Sequence, residues 1–131
     1  MTKAIHSMIR VFDLDKSLDF YHKALGLSVA DRFDFDGFSL IYLRNEETRF
    51  ELELTYNHDQ KEPYTHGSGY GHLAVSVDNI DKHYHTVTEF GLDPTPVKEF
   101  FHNNERLAKF FFLQDPDGYK IEFIERDGRF E

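Results

Sequence analysis

His6-Ser-Met-Ile-Arg-Val11 and His72-Leu-Ala-Val-Ser-Val77 are two versions of one passage, and reading them together decides the fold. Each is a short apolar run opened by a histidine. Each leads into an acidic stretch, Asp13-Leu14-Asp15-Lys16 in the first copy and Asn79-Ile80-Asp81-Lys82 in the second. A helix-like segment follows in both copies and stops at a glycine, Gly26 or Gly91. Near the end of each copy a glutamate lies in a strand-like run: Glu53 in Phe50-Glu-Leu-Glu-Leu-Thr-Tyr56, and Glu122 in Tyr119-Lys-Ile-Glu-Phe-Ile124. Self-similarity at about half the chain length indicates two fused supersecondary units.

Outward from those passages, 5–11 reads as a strand, and Asp13 or Asp15 can cap the following helix. Leu14, Leu18, Tyr21 and Leu25 recur at helical spacing and predict its apolar face; Gly26 is the stop. The run 27–35 alternates loosely, Asp36-Gly37 signals a tight hairpin, 38–43 returns, and 49–56 makes a last strand. Module 1 (1–57) is therefore β-α-β-β-β. Residues 58–69, polar and holding Pro63 and two glycines, read as a linker, and module 2 (70–126) repeats the order. Its helix carries Ile80, Tyr84 and Val87. Its remaining strands read as 95–101, 107–113 and 119–125, with turns at His102-Asn103-Asn104 and Asp115-Pro-Asp-Gly118. The whole chain, 1–131, is expected to be one α+β domain built from two βαβββ modules.

Composition narrows the function. The 131 residues suit a single compact domain, and 14 Phe with 7 Tyr supply bulky core and pocket material. A net charge of −9 speaks against nucleic-acid partners, because phosphate binding needs a basic face. The absence of cysteine excludes disulfides and thiolate zinc sites. Met1-Thr-Lys-Ala-Ile5 lacks a signal-peptide pattern, and no apolar stretch approaches the roughly 20 residues of a membrane span. A cytoplasmic protein acting on a small molecule, with no membrane partner, is the expectation.

The two histidines and two glutamates carry the chemistry. A lone strand histidine is usually a core or surface residue, and a glutamate in an alternating strand usually faces solvent. Here both types recur at equivalent places in both modules. Strand alternation puts Glu51 and Glu53 on one face and Leu52 and Leu54 on the other. If each sheet curls, its first and last strands can present His and Glu inward. Two carboxylates, two neutral imidazoles and a divalent cation sum to zero charge, which offsets the cost of burying the carboxylates. Nitrogen and oxygen donors suit Zn, Ni, Co, Mn or Fe without choosing among them. A cation gripping a carbonyl or alkoxide oxygen stabilises an enediolate, and a neighbouring carboxylate can move a proton between adjacent carbons. The other histidines, His22, His58, His66, His83, His85 and His102, read as surface residues.

These motifs resemble glyoxalase I (lactoylglutathione lyase) of the vicinal-oxygen-chelate superfamily. The matching passages are His6 to Val11, Ser17-Leu-Asp-Phe-Tyr21 with Leu25-Gly-Leu27, Glu53-Leu-Thr-Tyr-Asn57, Tyr70-Gly-His-Leu-Ala-Val-Ser-Val-Asp78 and Asp115-Pro-Asp-Gly-Tyr-Lys-Ile-Glu122. The resemblance implies a curved-sheet metal site held by His6, Glu53, His72 and Glu122. It implies that Glu122 is the proton-transfer base, with Glu53 the opposing catalytic ligand. The implied reaction converts the hemithioacetal of methylglyoxal and glutathione into S-lactoylglutathione, a detoxification. Short bacterial members prefer nickel or cobalt over zinc and are homodimers with sites between subunits, so His6 and Glu53 of one chain would meet His72 and Glu122 of the other. Arg10 and Asn57 match positions that hold the glutathione carboxylates.

The stretch Val97-Lys-Glu-Phe-Phe-His-Asn-Asn-Glu-Arg-Leu-Ala-Lys109 departs from the family's basic, glycine-containing loop. Asn104 stands where a lysine is expected, and Arg106 or Lys98 is the candidate substitute. Phe100-Phe101 reads as core packing in preference to pocket wall. Four alternatives follow from the same fold. A dioxygenase uses two His and one Glu, and the related epimerase carries glutamine where this chain has Glu53. A thiol transferase remains open. A metal-free drug-binding resistance protein generally lacks the full ligand set.

Overall fold

A computed structural model describes residues 1–131 and divides them into two compact units, Met1–Gly67 and Ser68–Glu131. The division falls within the polar 58–69 segment. Unit 1 contains β1 (His6–Arg10), α1 (Leu14–Leu25), β2 (Ser28–Phe35), β3 (Phe38–Arg44) and β4 (Glu51–Asn57). Unit 2 contains β5 (His72–Val77), α2 (Ile80–Glu89), β6 (Lys98–His102), β7 (Glu105–Gln114) and β8 (Lys120–Glu125), then a short 3-10 turn, Gly128–Phe130. The sheet orders are β1-β4-β3-β2 and β5-β8-β7-β6. In each, the first strand pairs parallel to the last and the other pairs are antiparallel. The architecture is α+β, with the βαβββ order repeated as the sequence predicts.

Local chemistry explains the repeat. Asp13 caps α1 by accepting from the Lys16 amide at 3.2 Å, and Asn79 caps α2 from Lys82 at 3.0 Å. The helices end alike, with Leu27 N–H donating to Tyr21 C=O and Leu92 N–H to Val87 C=O. Gly26 and Gly91 supply the left-handed residue each reversal requires, at φ of 66° and 83°. Asn103 and Asn104, at φ of 50° and 65°, make the tight β6–β7 turn, since asparagine tolerates this region better than other side chains.

Each helix covers one face of its own sheet. In unit 1 the core joins Ile9, Val11, Ile41, Leu43, Leu52 and Leu54 to Leu14, Phe20, Tyr21 and Ala24. In unit 2, Phe111, Leu113, Ile121 and Phe123 are buried with Ile80 and Val87. Fully burying such a side chain contributes about 1.5–3 kcal/mol. The register is fixed accordingly, because a one-residue slip would send Glu53 or Glu122 beneath a helix.

Four expectations need correction. The buried face of α1 is Leu14, Ser17, Phe20, Tyr21 and Ala24, rotated from the Leu18–Leu25 line, because the small Ser17 and Ala24 let helix and sheet approach. Strand β6 begins at Lys98, not Thr95; the Thr95 hydroxyl instead accepts from the Phe112 amide at 2.8 Å. Phe100 and Phe101 are not core: they are 58% and 63% exposed, on an edge strand that is exposed throughout. His83 also differs from a free surface residue, since its ring lies 5.2 Å from that of Phe123 on the helix side of unit 2.

Candidate metal centre

The strand register lifts one His/Glu pair onto the uncovered face of each unit. In unit 1, Met8 pairs with Glu53 across the parallel β1–β4 ladder, which places Glu53 diagonally beside His6. In unit 2, Ala74 pairs with Glu122 across β5–β8, with His72 at the same diagonal. His6 Nε2 lies 3.4 Å from Glu53 Oε1, and His72 Nε2 lies 3.2 Å from Glu122 Oε1. Two bonds of about 2.1 Å to one metal, at right-angled to tetrahedral openings, place their donor atoms about 3.0–3.4 Å apart. Each pair, taken by itself, therefore has the spacing of two adjacent ligands of one ion. Nowhere in the chain do three or more His, Asp or Glu side chains converge at such distances, so each unit supplies two donors.

Aromatic rings orient the imidazoles. His6 meets Tyr42 edge-on with ring centres 5.9 Å apart, and His72 meets Phe112 in the same manner at 5.2 Å. Tyr42 stands opposite Glu53 in the β3–β4 ladder, and Phe112 opposite Glu122 in β7–β8. Burial, then the Glu53 carboxylate facing it across that ladder, pushes the Tyr42 phenol above the ordinary range. Glu53 is itself buried, at 8% exposure. A carboxylate so placed requires partners, and His6 is one of them.

The terminus of β8 is set by the turn before it. Asp115 is buried and accepts from the Asp117 and Tyr119 amides, both at 2.9 Å. This is the reason for the Asp-Pro-Asp-Gly signature: the carboxylate closes the turn, Gly118 takes φ of 85°, and Glu122 enters the strand in register. Beside His72 lies a cavity of about 660 Å³, whose lining includes Asp93, Thr95, Phe112, Gln114 and Lys120.

The proposed thiol contacts divide. Arg10 has the strand parity of His6, and Asn57 that of Glu53, so both lie on the uncovered face of unit 1. Asn57 Nδ2 donates to the Tyr64 hydroxyl at 2.9 Å. Arg106 is placed differently. Pairing jumps from Phe100↔Ala108 to Phe101↔Arg106, and the bulge at Leu107 reverses the side-chain parity beyond it. Arg106 then lies 3.1 Å from Asp127, 3.5 Å from Glu99 and 3.6 Å from Glu125. Glu125 also accepts from the Ile80 amide at the start of α2, so this cluster is on the helix side. Tyr42 is the site residue that sequence reading missed; its only signal was the Tyr-x-x pattern of an ordinary alternating strand.

Comparisons with known proteins give the family. A profile of the glyoxalase/bleomycin resistance protein/dioxygenase superfamily matches residues 3–123. A lactoylglutathione lyase of Neisseria meningitidis is 39% identical over 95% of the chain and 91% of that protein. One from Haemophilus influenzae is 40% identical over 92% of the chain and 90% of its own length. Among solved structures, the trypanothione-dependent glyoxalase I of Leishmania major superposes with a TM-score of 0.75 at 32% identity, covering 95% of this chain and 87% of that one. Glyoxalase I from Zea mays gives 0.82 at 29% identity, over 96% of this chain and 45% of that one. Fold and site define a member of the glyoxalase/bleomycin resistance protein/dioxygenase superfamily, and the chain belongs to it. Within that superfamily it is an enzyme of the lactoylglutathione lyase type. No helix is long and apolar enough to cross a membrane.

Proposed function

We propose that this enzyme isomerises the hemithioacetal of methylglyoxal and glutathione to S-lactoylglutathione, in the cytoplasm, as a nickel- or cobalt-preferring homodimer. The observation that carries the reading is the pair of equivalent His/Glu couples, each with its donor atoms at the spacing of adjacent metal ligands. His6, Glu53, His72 and Glu122 hold the ion, the first two from one chain and the last two from its partner. When bound, a divalent cation supplies Lewis acidity toward the two neighbouring substrate oxygens.

The remaining work falls to side chains. Glu122 takes the proton from the thiohemiacetal carbon and returns it to the adjacent carbonyl carbon. The hydroxyl proton passes from the first oxygen to the second, so the hydroxyl-bearing carbon becomes the thioester carbonyl and the former ketone becomes the secondary alcohol. Arg10 and Asn57 bind the carboxylates of the thiol, for which a guanidinium fork is well suited. Exposed Phe33, which meets Tyr42 at 6.3 Å, walls the same face.

The test is thioester formation by apo-protein reconstituted separately with nickel, cobalt and zinc, given methylglyoxal with glutathione or with trypanothione. Nickel- or cobalt-led turnover of the glutathione adduct is expected. Protein that binds one metal equivalent yet turns over neither adduct would discard the substrate. Glu122→Gln should lower kcat by about 10²–10⁴-fold, the usual worth of a general base, with the fold intact by circular dichroism.

A further inference from the structure

The two halves of the candidate site repeat each other strand by strand, so places where they differ are informative. Glu53 lies between Met8 on the β1 side and Tyr42 on the β3 side. Glu122 lies between Ala74 and Phe112 at the equivalent positions. Both aromatic rings meet their histidine edge-on. Only Tyr42 carries a hydroxyl, and it stands directly across the ladder from Glu53. The neighbour on the first strand also differs in size, Met8 beside Glu53 and the smaller Ala74 beside Glu122. The side-chain exposures follow, 10% for Glu53 and 16% for Glu122.

We infer that Tyr42 is a positioning residue that fixes Glu53 as a static ligand, leaving Glu122 as the carboxylate free to move a proton. This rests on the metal-dependent reading above and deepens it. A ligand that must hold geometry benefits from an outer hydrogen bond that locks its rotamer. A base that must leave one partner and reach substrate carbon is hindered by such a bond. The ring at this position steers the imidazole in both units, so the Tyr42 hydroxyl is spare for that purpose and is available to the carboxylate.

Tyr42→Phe isolates the hydroxyl, since the ring contacts to His6 and Phe33 are retained. Nickel affinity is measured by competition with a chromophoric chelator, with no substrate present. The variant should bind nickel about 10–100-fold more weakly, the usual effect of losing an outer-shell partner, with the apo form still folded by circular dichroism. At saturating nickel its kcat should fall while KM for the thiol adduct stays put. Phe112→Tyr is the reciprocal variant. A hydroxyl set against Glu122 should leave nickel affinity at or above that of the wild type and lower kcat. Wild-type nickel affinity in Tyr42→Phe would overturn the inference, as would an unchanged kcat in Phe112→Tyr. Because affinity is read without substrate, an enzyme inactive on the methylglyoxal–glutathione adduct would sink the substrate assignment and leave the Tyr42 comparison standing.

Discussion

At the scale of single residues, what matters is which face of a strand a side chain leaves. Leu52 and Leu54 are buried beneath α1, so Glu51 and Glu53 must emerge on the other side. The same logic separates the two arginines considered for the thiol. Arg10 follows the parity of His6 and shares its face, whereas the bulge at Leu107 turns Arg106 toward Glu99, Glu125 and Asp127. Arg10→Ala should therefore raise KM for the glutathione adduct about 10–100-fold, since a charge-assisted hydrogen bond contributes about 1.5–3 kcal/mol. Arg106→Ala should leave KM in place and lower the urea midpoint. Steady-state kinetics on both variants decide this, and a KM effect confined to Arg106→Ala would reverse the assignment. The four proposed ligands were legible in sequence because each appears twice at matching positions. Tyr42 and the orientation of Arg106 were not. Both depend on cross-strand register, the first through the pairing with Glu53 and the second through one extra residue in a ladder, and neither leaves a periodic trace in the chain.

At the scale of elements, the β2–β3 hairpin shows how local polar chemistry is tied to the fold. The buried Ser39 hydroxyl donates to Asp34, and Ser39 Oγ lies 2.9 Å from His58 Nε2 just beyond β4. Arg32 Nε donates to the same carboxylate at 3.0 Å. The Ser39 bond first, then the Arg32 bond, hold the Asp34 carboxyl below its usual range. A lowered folded-state value means that the stabilisation is complete above the unfolded pKa, about 4, and is lost as pH falls through the folded value. Asp34→Asn should therefore show a lower urea midpoint than the wild type at neutral pH, with the two curves converging as pH falls through the lowered folded-state value. A gap of constant size down to acid would show that charge on Asp34 contributes nothing. Helix positions, both glycine stops and the Asp36-Gly37 and Asn103-Asn104 turns were readable because capping and left-handed backbone are local requirements. The start of β6 was not, because Thr95 meets Phe112 through one backbone bond and one hydroxyl bond ahead of the β6–β7 ladder, and apolar content does not mark that break. Phe100 and Phe101 misled for a related reason: hydrophobicity alone does not say that β6 is an edge strand.

At the scale of the whole molecule, the central consequence is that each unit brings together only two of the proposed metal donors. Structural and catalytic sites of nitrogen and oxygen ligands require at least three protein groups, so one His/Glu pair is half a centre. The proposal that two chains complete it makes a prediction that a site closed within one chain cannot meet. Consider His6→Ala and His72→Ala homodimers, each with a defect in every site and each expected to be inactive. If they are unfolded together and refolded with nickel, random pairing makes about half of the dimers mixed, since a two-fold dimer joins subunits irrespective of the mutation they carry. In a mixed dimer one site receives both substitutions. The other receives unit 1 from the His72→Ala chain and unit 2 from the His6→Ala chain, and all four of its ligands are intact. Half of the dimers with one of two sites restored corresponds to about a quarter of wild-type activity per mole of chain. Activity near that level, absent from either variant refolded alone, would place the ligands on two subunits. No recovery, from mixtures shown by mass to contain mixed dimers, would place them on one chain, and the His/Glu pairs of units 1 and 2 would then have to meet within a single subunit.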